Sequence, residues 1–213
     1  MKPLMSMERV LEPFTVPEGG RENCVMVRGR TLYAILTEYK SQLGPKPFLE
    51  LKDAVKKGTG VDVELDGLKT RLIPLWLQNW AIGQFLGVDV VSPGPEALAK
   101  VREFGRSVAK EEIGSMVVFF AKALPLPTVI KQIVGHWKYE HSSGEAVIEH
   151  LDTTERTVKV RIIGFEEPSR FYCAVVNGFL EGTGQMLIDR VIKFEETACV
   201  LDGAPFCEFT ATW

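Results

Sequence analysis

FYCAVVNGFLEGTGQMLIDRVIKFEETACVLDGAPFCEF, residues 171–209 of a 213-residue chain, is the stretch that decides the fold. Pro168-Ser169 just ahead of it suits a helix start, and Phe171 to Leu187 reads as one helix. From about Arg190 to Leu201 the pattern becomes that of a strand. Asp202-Gly203-Ala204 supplies turn chemistry, and Pro205 to Trp213 returns as the partner strand. Three of the four cysteines and a glutamate sit here at set intervals. Glu196 follows Cys173 by 23 positions, Cys199 comes three later and Cys207 eight after that.

Working outward, "TVKVRIIGF" alternates Val158, Val160 and Ile162 with Lys159 and Arg161, the signature of a half-buried strand. It pairs back through the polar turn at Thr153-Thr154 onto a strand around Ala146–Ile148. Upstream the period is helical. Leu32, Ile35, Leu36, Tyr39 and Leu43 mark one helix, stopped at Gly44-Pro45; Phe48 to Lys57 marks a second, ending at Gly58. A third, rich in Leu and Trp, spans about Leu68 to Leu86, with Pro74 near its first turns. Ser92-Pro93-Gly94-Pro95 is a break. A long helix follows to about Leu124, and a further one covers Thr128 to Val134.

The order predicts an α+β fold: a helical N-terminal half, then a four-stranded antiparallel ββαββ sheet packed by helices. Residues 1–27 read as an extended lead-in, in which "CVMV" is a candidate strand. Residues 28–213 read as a single domain, helical over 28–135 and sheet over 144–213.

A three-residue hairpin loop would place Leu201 opposite Pro205 and Cys199 opposite Cys207, with side chains about 5 Å apart at Cβ. Thiolates and a carboxylate are ligand types that tetrahedral Zn²⁺ accepts. Cys173 would have to arrive from the helix. Residues three apart on a regular strand face opposite ways, so Glu196 and Cys199 converge only through a bulge or strong twist. Four protein ligands would leave no open position, making such a zinc structural. Two other readings stay open: buried core cysteines, and a Cys199–Cys207 disulfide.

The quoted segment resembles the 4-vinyl reductase domain, a small-molecule-binding domain that also forms the sensor half of phenol-responsive transcriptional activators. Cys173, Gly178, Gly182, Arg190, Glu196, Cys199 and Cys207 are similar to that family's pattern, in which a helix cysteine and an E-x2-C-x7-C hairpin bind zinc. The wider superfamily includes haem-based nitric oxide sensors and subunits of the TRAPP transport complex. The resemblance implies an often dimeric fold with an apolar cavity between helices and sheet.

The rest of the chain narrows the function. A net charge of −3 with no basic stripe gives no reason to expect nucleic acid. No run approaches the ~18 apolar residues of a membrane span, and no signal-peptide core is present, so a reducing cytoplasm is expected. The Gly-rich phosphate loop and the G-x-S-x-G elbow are both missing, and no catalytic set stands out. His136 follows Gly135 at a helix end, His141 lies in a Ser/Gly-containing turn, and His150 sits on the same strand face as Ile148. None is placed to ligate a haem. Gly178, Gly182 and Gly184 lie inside a helix, where each costs about 1 kcal/mol relative to Ala; a close neighbouring backbone, from the sheet or a partner's helix, would account for them.

These readings converge on a cytoplasmic sensory protein with a structural zinc on Cys173, Glu196, Cys199 and Cys207, acting as a homodimer. Its ligand would be a small apolar or aromatic molecule. Candidate ligand-binding residues are Trp137 and His136 at a pocket rim, with Phe119, Phe120 and Trp80 as apolar lining. The alternatives are an enzyme or accessory protein of tetrapyrrole metabolism, or a non-catalytic scaffold with a filled cavity.

Overall fold

The computed structural model describes residues 24–113, 123–188 and 193–213. The chain divides between Ser92 and Pro93 into two compact units, at the break that the Pro/Gly cluster marks in the sequence.

The first unit contains β1 (Met26–Arg28), α1 (Arg30–Leu43), α2 (Pro45–Thr59), β2 (Leu72–Pro74) and α3 (Leu75–Leu86). Strands β1 and β2 pair antiparallel, Val27 opposite Ile73. Leu32, Ile35, Leu36 and Tyr39, the positions picked out by helical spacing, are all buried on α1. Each such burial is worth roughly 1.5–3 kcal/mol before entropy is subtracted. Pro45 occupies the first turn of α2, which runs past Gly58 and stops at Gly60, left-handed at φ 73°.

The helix expected over 68–86 is shorter, because residues 72–74 are strand and α3 begins at Leu75. Pro74 holds φ −58° and ψ 134°, an extended conformation, and has no N–H to give a helix. The next amide, of Leu75, donates to Val25 O at 2.8 Å and so joins the small sheet.

The second unit contains α4 (Pro95–Glu112), α5 (Leu126–Gly135), α6 (Trp137–Glu140), β3 (Glu145–Asp152), β4 (Thr157–Ile163), α7 (Arg170–Ile188), β5 (Lys193–Ala198) and β6 (Cys207–Thr212). The expected continuation of α4 toward Leu124 falls partly outside the described residues. The sheet is antiparallel throughout in the order β3-β4-β6-β5, so the ββαββ architecture is observed. Val158, Val160 and Ile162 are buried opposite Ala211, Phe209 and Cys207, forming one apolar face. The other face carries a polar row. Arg161 bridges Glu149 and Glu208 at 2.8 Å each, and Thr197 Oγ1 donates to Glu208 Oε1 at 2.9 Å.

Helix α7 crosses α4 at backbone contact distance. A Cβ on Gly178 would lie 1.9 Å from Arg102 O, and one on Gly182 would lie 2.9 Å from Arg106 O. The close backbone that those glycines call for is α4.

Two local expectations change. The terminal hairpin is not a three-residue loop: Val200–Asp202 forms a 3-10 turn closed by Gly203 at φ 87°, and β5 ends at Ala198. His150 does not share the face of Ile148. A register shift between these residues pairs Ile148 with Val160 but His150 with Lys159, turning the imidazole to the polar face.

Candidate functional site

The site begins with the register of β6. Because Ile162 lies opposite Cys207, the Cys207 sulfur falls on the apolar face beneath α7. Ser169 Oγ accepts from the Tyr172 amide at 3.1 Å and caps the first turn of α7. Cys173 lies in that turn, its own amide bonded to Ser169 O at 2.9 Å. On β5 the pairing with β6 shifts between Glu196 and Ala198. This bulge is the irregularity that convergence of Glu196 and Cys199 requires.

The ligand atoms of Cys173, Glu196, Cys199 and Cys207 all lie within 4.8 Å of one another, and all three thiols are buried. Cys199 Sγ and Cys207 Sγ are 3.8 Å apart. A disulfide needs about 2.05 Å, and none of the four cysteines forms one. Two thiolates on a tetrahedral zinc, each at about 2.3 Å, stand about 3.8 Å apart, the separation found here. Glu196 Oε1 is buried without a hydrogen-bond partner among the described residues. A buried polar atom left unpaired costs about 1–3 kcal/mol, so this oxygen fits a group that an ion completes. The set of three sulfurs and one oxygen could hold a metal.

The thiols do not titrate alike. Cys173 is pushed up, first by the hydrogen bond it gives Cys207 and then by burial. Cys207 is drawn down to about 6, chiefly by accepting that bond. The two shifts describe one proton shared by the pair. Cys199 is pushed up to about 12, chiefly by burial. Arg170 pairs with Asp202 at the rim, and its charge is held further up by Cys199 and Glu196 nearby.

A second, partly buried cluster adjoins this one. The ring of His141 stacks on that of Trp137, centroids 3.6 Å apart, while Phe165 stacks on Tyr172 at 5.6 Å. His141 Nδ1 lies 3.1 Å from Trp137 O, and Nε2 bonds the Tyr172 hydroxyl. Burial holds the His141 pKa down to about 4 and raises that of Tyr172 above its usual range. Sequence reasoning placed His141 in a turn and passed over Tyr172. Their signal was aromatic density: Trp137, Tyr139, Phe165 and Tyr172 fall within 36 residues of chain.

The candidate ligand-binding residues do not gather in one described pocket. Trp137 gives its indole N–H to Ser143 O at 3.2 Å. His136 is half-exposed and lies 2.9 Å from Glu140. Trp80 lines an apolar crevice in the first unit with Leu36, Tyr39 and Leu51, but its volume is only about 10 Å³, close to one water. Phe119 and Phe120 lie outside the described residues, as does Arg190. Among the described residues no helix is long and apolar enough to cross a membrane.

No protein-family model matches the chain, and no curated protein matches it. Solved structures do. The H-NOX from Shewanella woodyi aligns at 14% identity over 86% of this chain and 93% of that one, with a TM-score of 0.53. An H-NOX domain from Shewanella oneidensis aligns at 17% identity over 87% and 97%, with a TM-score of 0.51. The phenol-responsive sensory domain of the transcription activator PoxR, solved with phenol, covers 65% of this chain and 72% of that one at 13% identity; its TM-score of 0.41 is too low to support an argument. The chain is thus similar in fold to the H-NOX domains.

Proposed function

We propose that this chain is a small-molecule-binding sensory domain whose terminal hairpin is held to α7 by one structural zinc ion. The observation that carries the reading is the convergence of three buried sulfurs and one unpartnered carboxylate oxygen within 4.8 Å. Cys173, Cys199 and Cys207 would ligate as thiolates and Glu196 through Oε1. Four protein ligands close a tetrahedron and leave no site for activated water, so the ion's contribution is to folding. Four anionic donors outweigh a divalent ion by two charges, and Arg170, close enough to feel Cys199 and Glu196, offsets part of that excess. Thiols outside any disulfide suit a reducing cytoplasm.

The sensory part of the reading draws on the fold shared with H-NOX domains. The histidines do not fit a haem held on imidazole. The two nitrogens of His141 are engaged, and His136 and His150 are exposed. A small apolar or aromatic ligand suits the crevice beside Trp80 better, provided that α1, α2 and α3 part to enlarge it. Native mass spectrometry of protein grown with zinc tests the whole. One zinc per chain, a dimeric mass and a melting temperature raised by phenol are the expected results. A metal-free chain whose melting is unmoved by phenols or other small aromatics contradicts the reading.

A further inference from the structure

Beyond the four donors, one residue bridges the helix that carries Cys173 and the strand that carries Glu196. We infer that Arg102 is the positioning residue of the metal site, clamping α7 and β5 in the register at which Cys173 and Glu196 meet. The inference rests on the zinc reading above.

Arg102 reaches out from α4 and makes two unlike bonds with one guanidinium. Its Nε pairs with Glu181 Oε2 at 2.9 Å, and its Nη2 donates to Phe194 O at 2.7 Å. Glu181 is on α7, two turns beyond Cys173, and is buried. Phe194 is on β5, two residues before Glu196. Among the described residues the strand pairs with β6 alone, so an outward carbonyl needs a donor from elsewhere, and Arg102 supplies one. The planar fork of Arg can span two acceptors in fixed directions; a lysine ammonium cannot hold that geometry. Gly178 makes the reach achievable by letting the backbone of α7 touch that of Arg102.

Arg106 shows the contrast. It pairs with both oxygens of Glu181 at 3.1 Å and with Glu103. These contacts lie within α4 or between α4 and α7, and none reaches the strand. Arg106 therefore steadies the α4–α7 crossing, whereas Arg102 ties that crossing to the strand that bears Glu196.

The test is zinc affinity, measured by chelator competition at fixed pH on purified wild type, Arg102→Lys and Arg106→Gln, with folding checked by circular dichroism. Arg102→Lys keeps a positive charge beside Glu181 and loses the simultaneous bond to Phe194. Outer residues that orient ligands typically change metal affinity by 10–100-fold. We expect Arg102→Lys to bind zinc about tenfold more weakly and Arg106→Gln to stay within about twofold of wild type, even where it melts lower. The cobalt-loaded Arg102→Lys should also show an altered thiolate absorption band. A folded Arg102→Lys with wild-type affinity overturns the inference and leaves the zinc reading intact, as does equal weakening in Arg106→Gln. A wild-type chain that takes up no zinc overturns both.

Discussion

Tyr172 and Cys173 are consecutive buried residues on α7, yet they enter clusters of opposite character. Around Tyr172, the polar groups of the aromatic cluster have partners: its hydroxyl meets His141, His141 meets Trp137 O, and the Trp137 N–H meets Ser143 O. Around Cys173, three buried sulfurs crowd a carboxylate whose Oε1 has no hydrogen-bond partner among the described residues. The first arrangement is complete as protein and behaves as core. The second leaves a buried carboxylate oxygen unpaired among the described residues, room that a cation would fill. Ligand-binding capacity is better marked by donors left over than by density of unusual side chains.

Breaking the incomplete cluster should have the largest effect. Cys207→Ser should abolish zinc uptake and lower the melting temperature by about 10 °C relative to the zinc-loaded chain. Full zinc content with an unchanged melt would exclude Cys207 from the site. Gly178→Ala acts on the helix that carries both clusters. A Cβ placed 1.9 Å from Arg102 O forces α4 and α7 apart, at a cost of about 2–3 kcal/mol by chemical denaturation. A neutral result would mean that the crossing yields without resistance.

The complete cluster should respond to acid. Burial holds the His141 pKa down to about 4 in the fold, against an ordinary value of about 6.5, so the unfolded chain takes the proton first. Its contribution is full above about pH 6.5 and falls as pH drops toward 4, with a slope approaching about 1.4 kcal/mol per pH unit. Comparing the pH dependence of unfolding with that of His141→Gln isolates this group from the thiols. Parallel curves for the two proteins would contradict the buried neutral imidazole. The smallest effect belongs to Trp137→Phe, which keeps the stacking but loses one hydrogen bond to Ser143 O, for a loss of about 1 kcal/mol. A loss several times larger would show that the indole carries more than the contacts described.

Local periodicity made most of the fold legible. The alternation of Val158, Val160 and Ile162 marked a sheet face, and the spacing of Leu32, Ile35 and Tyr39 marked a helix face, because both depend on nearest-neighbour geometry. The four candidate donors could be grouped for a related reason, since two of them are joined by a short hairpin. Less could be read where tertiary partners decide. Pro74 went to a strand because Met26 was available to pair with it and Val25 O to accept the next amide. The bulge between Ile148 and His150 turned His150 outward, which no count of alternating residues reveals. The Arg102–Glu181–Phe194 bridge joins residues 79 and 92 positions apart. Its only trace in the sequence was an acid placed between Leu180 and Gly182 on an apolar helix.

The most direct test is X-ray absorption at the zinc edge of the purified, zinc-loaded chain. The account predicts three sulfurs at about 2.3 Å and one oxygen at about 2.0 Å. A shell of light atoms alone, or one still holding three sulfurs after Cys207→Ser, would contradict it.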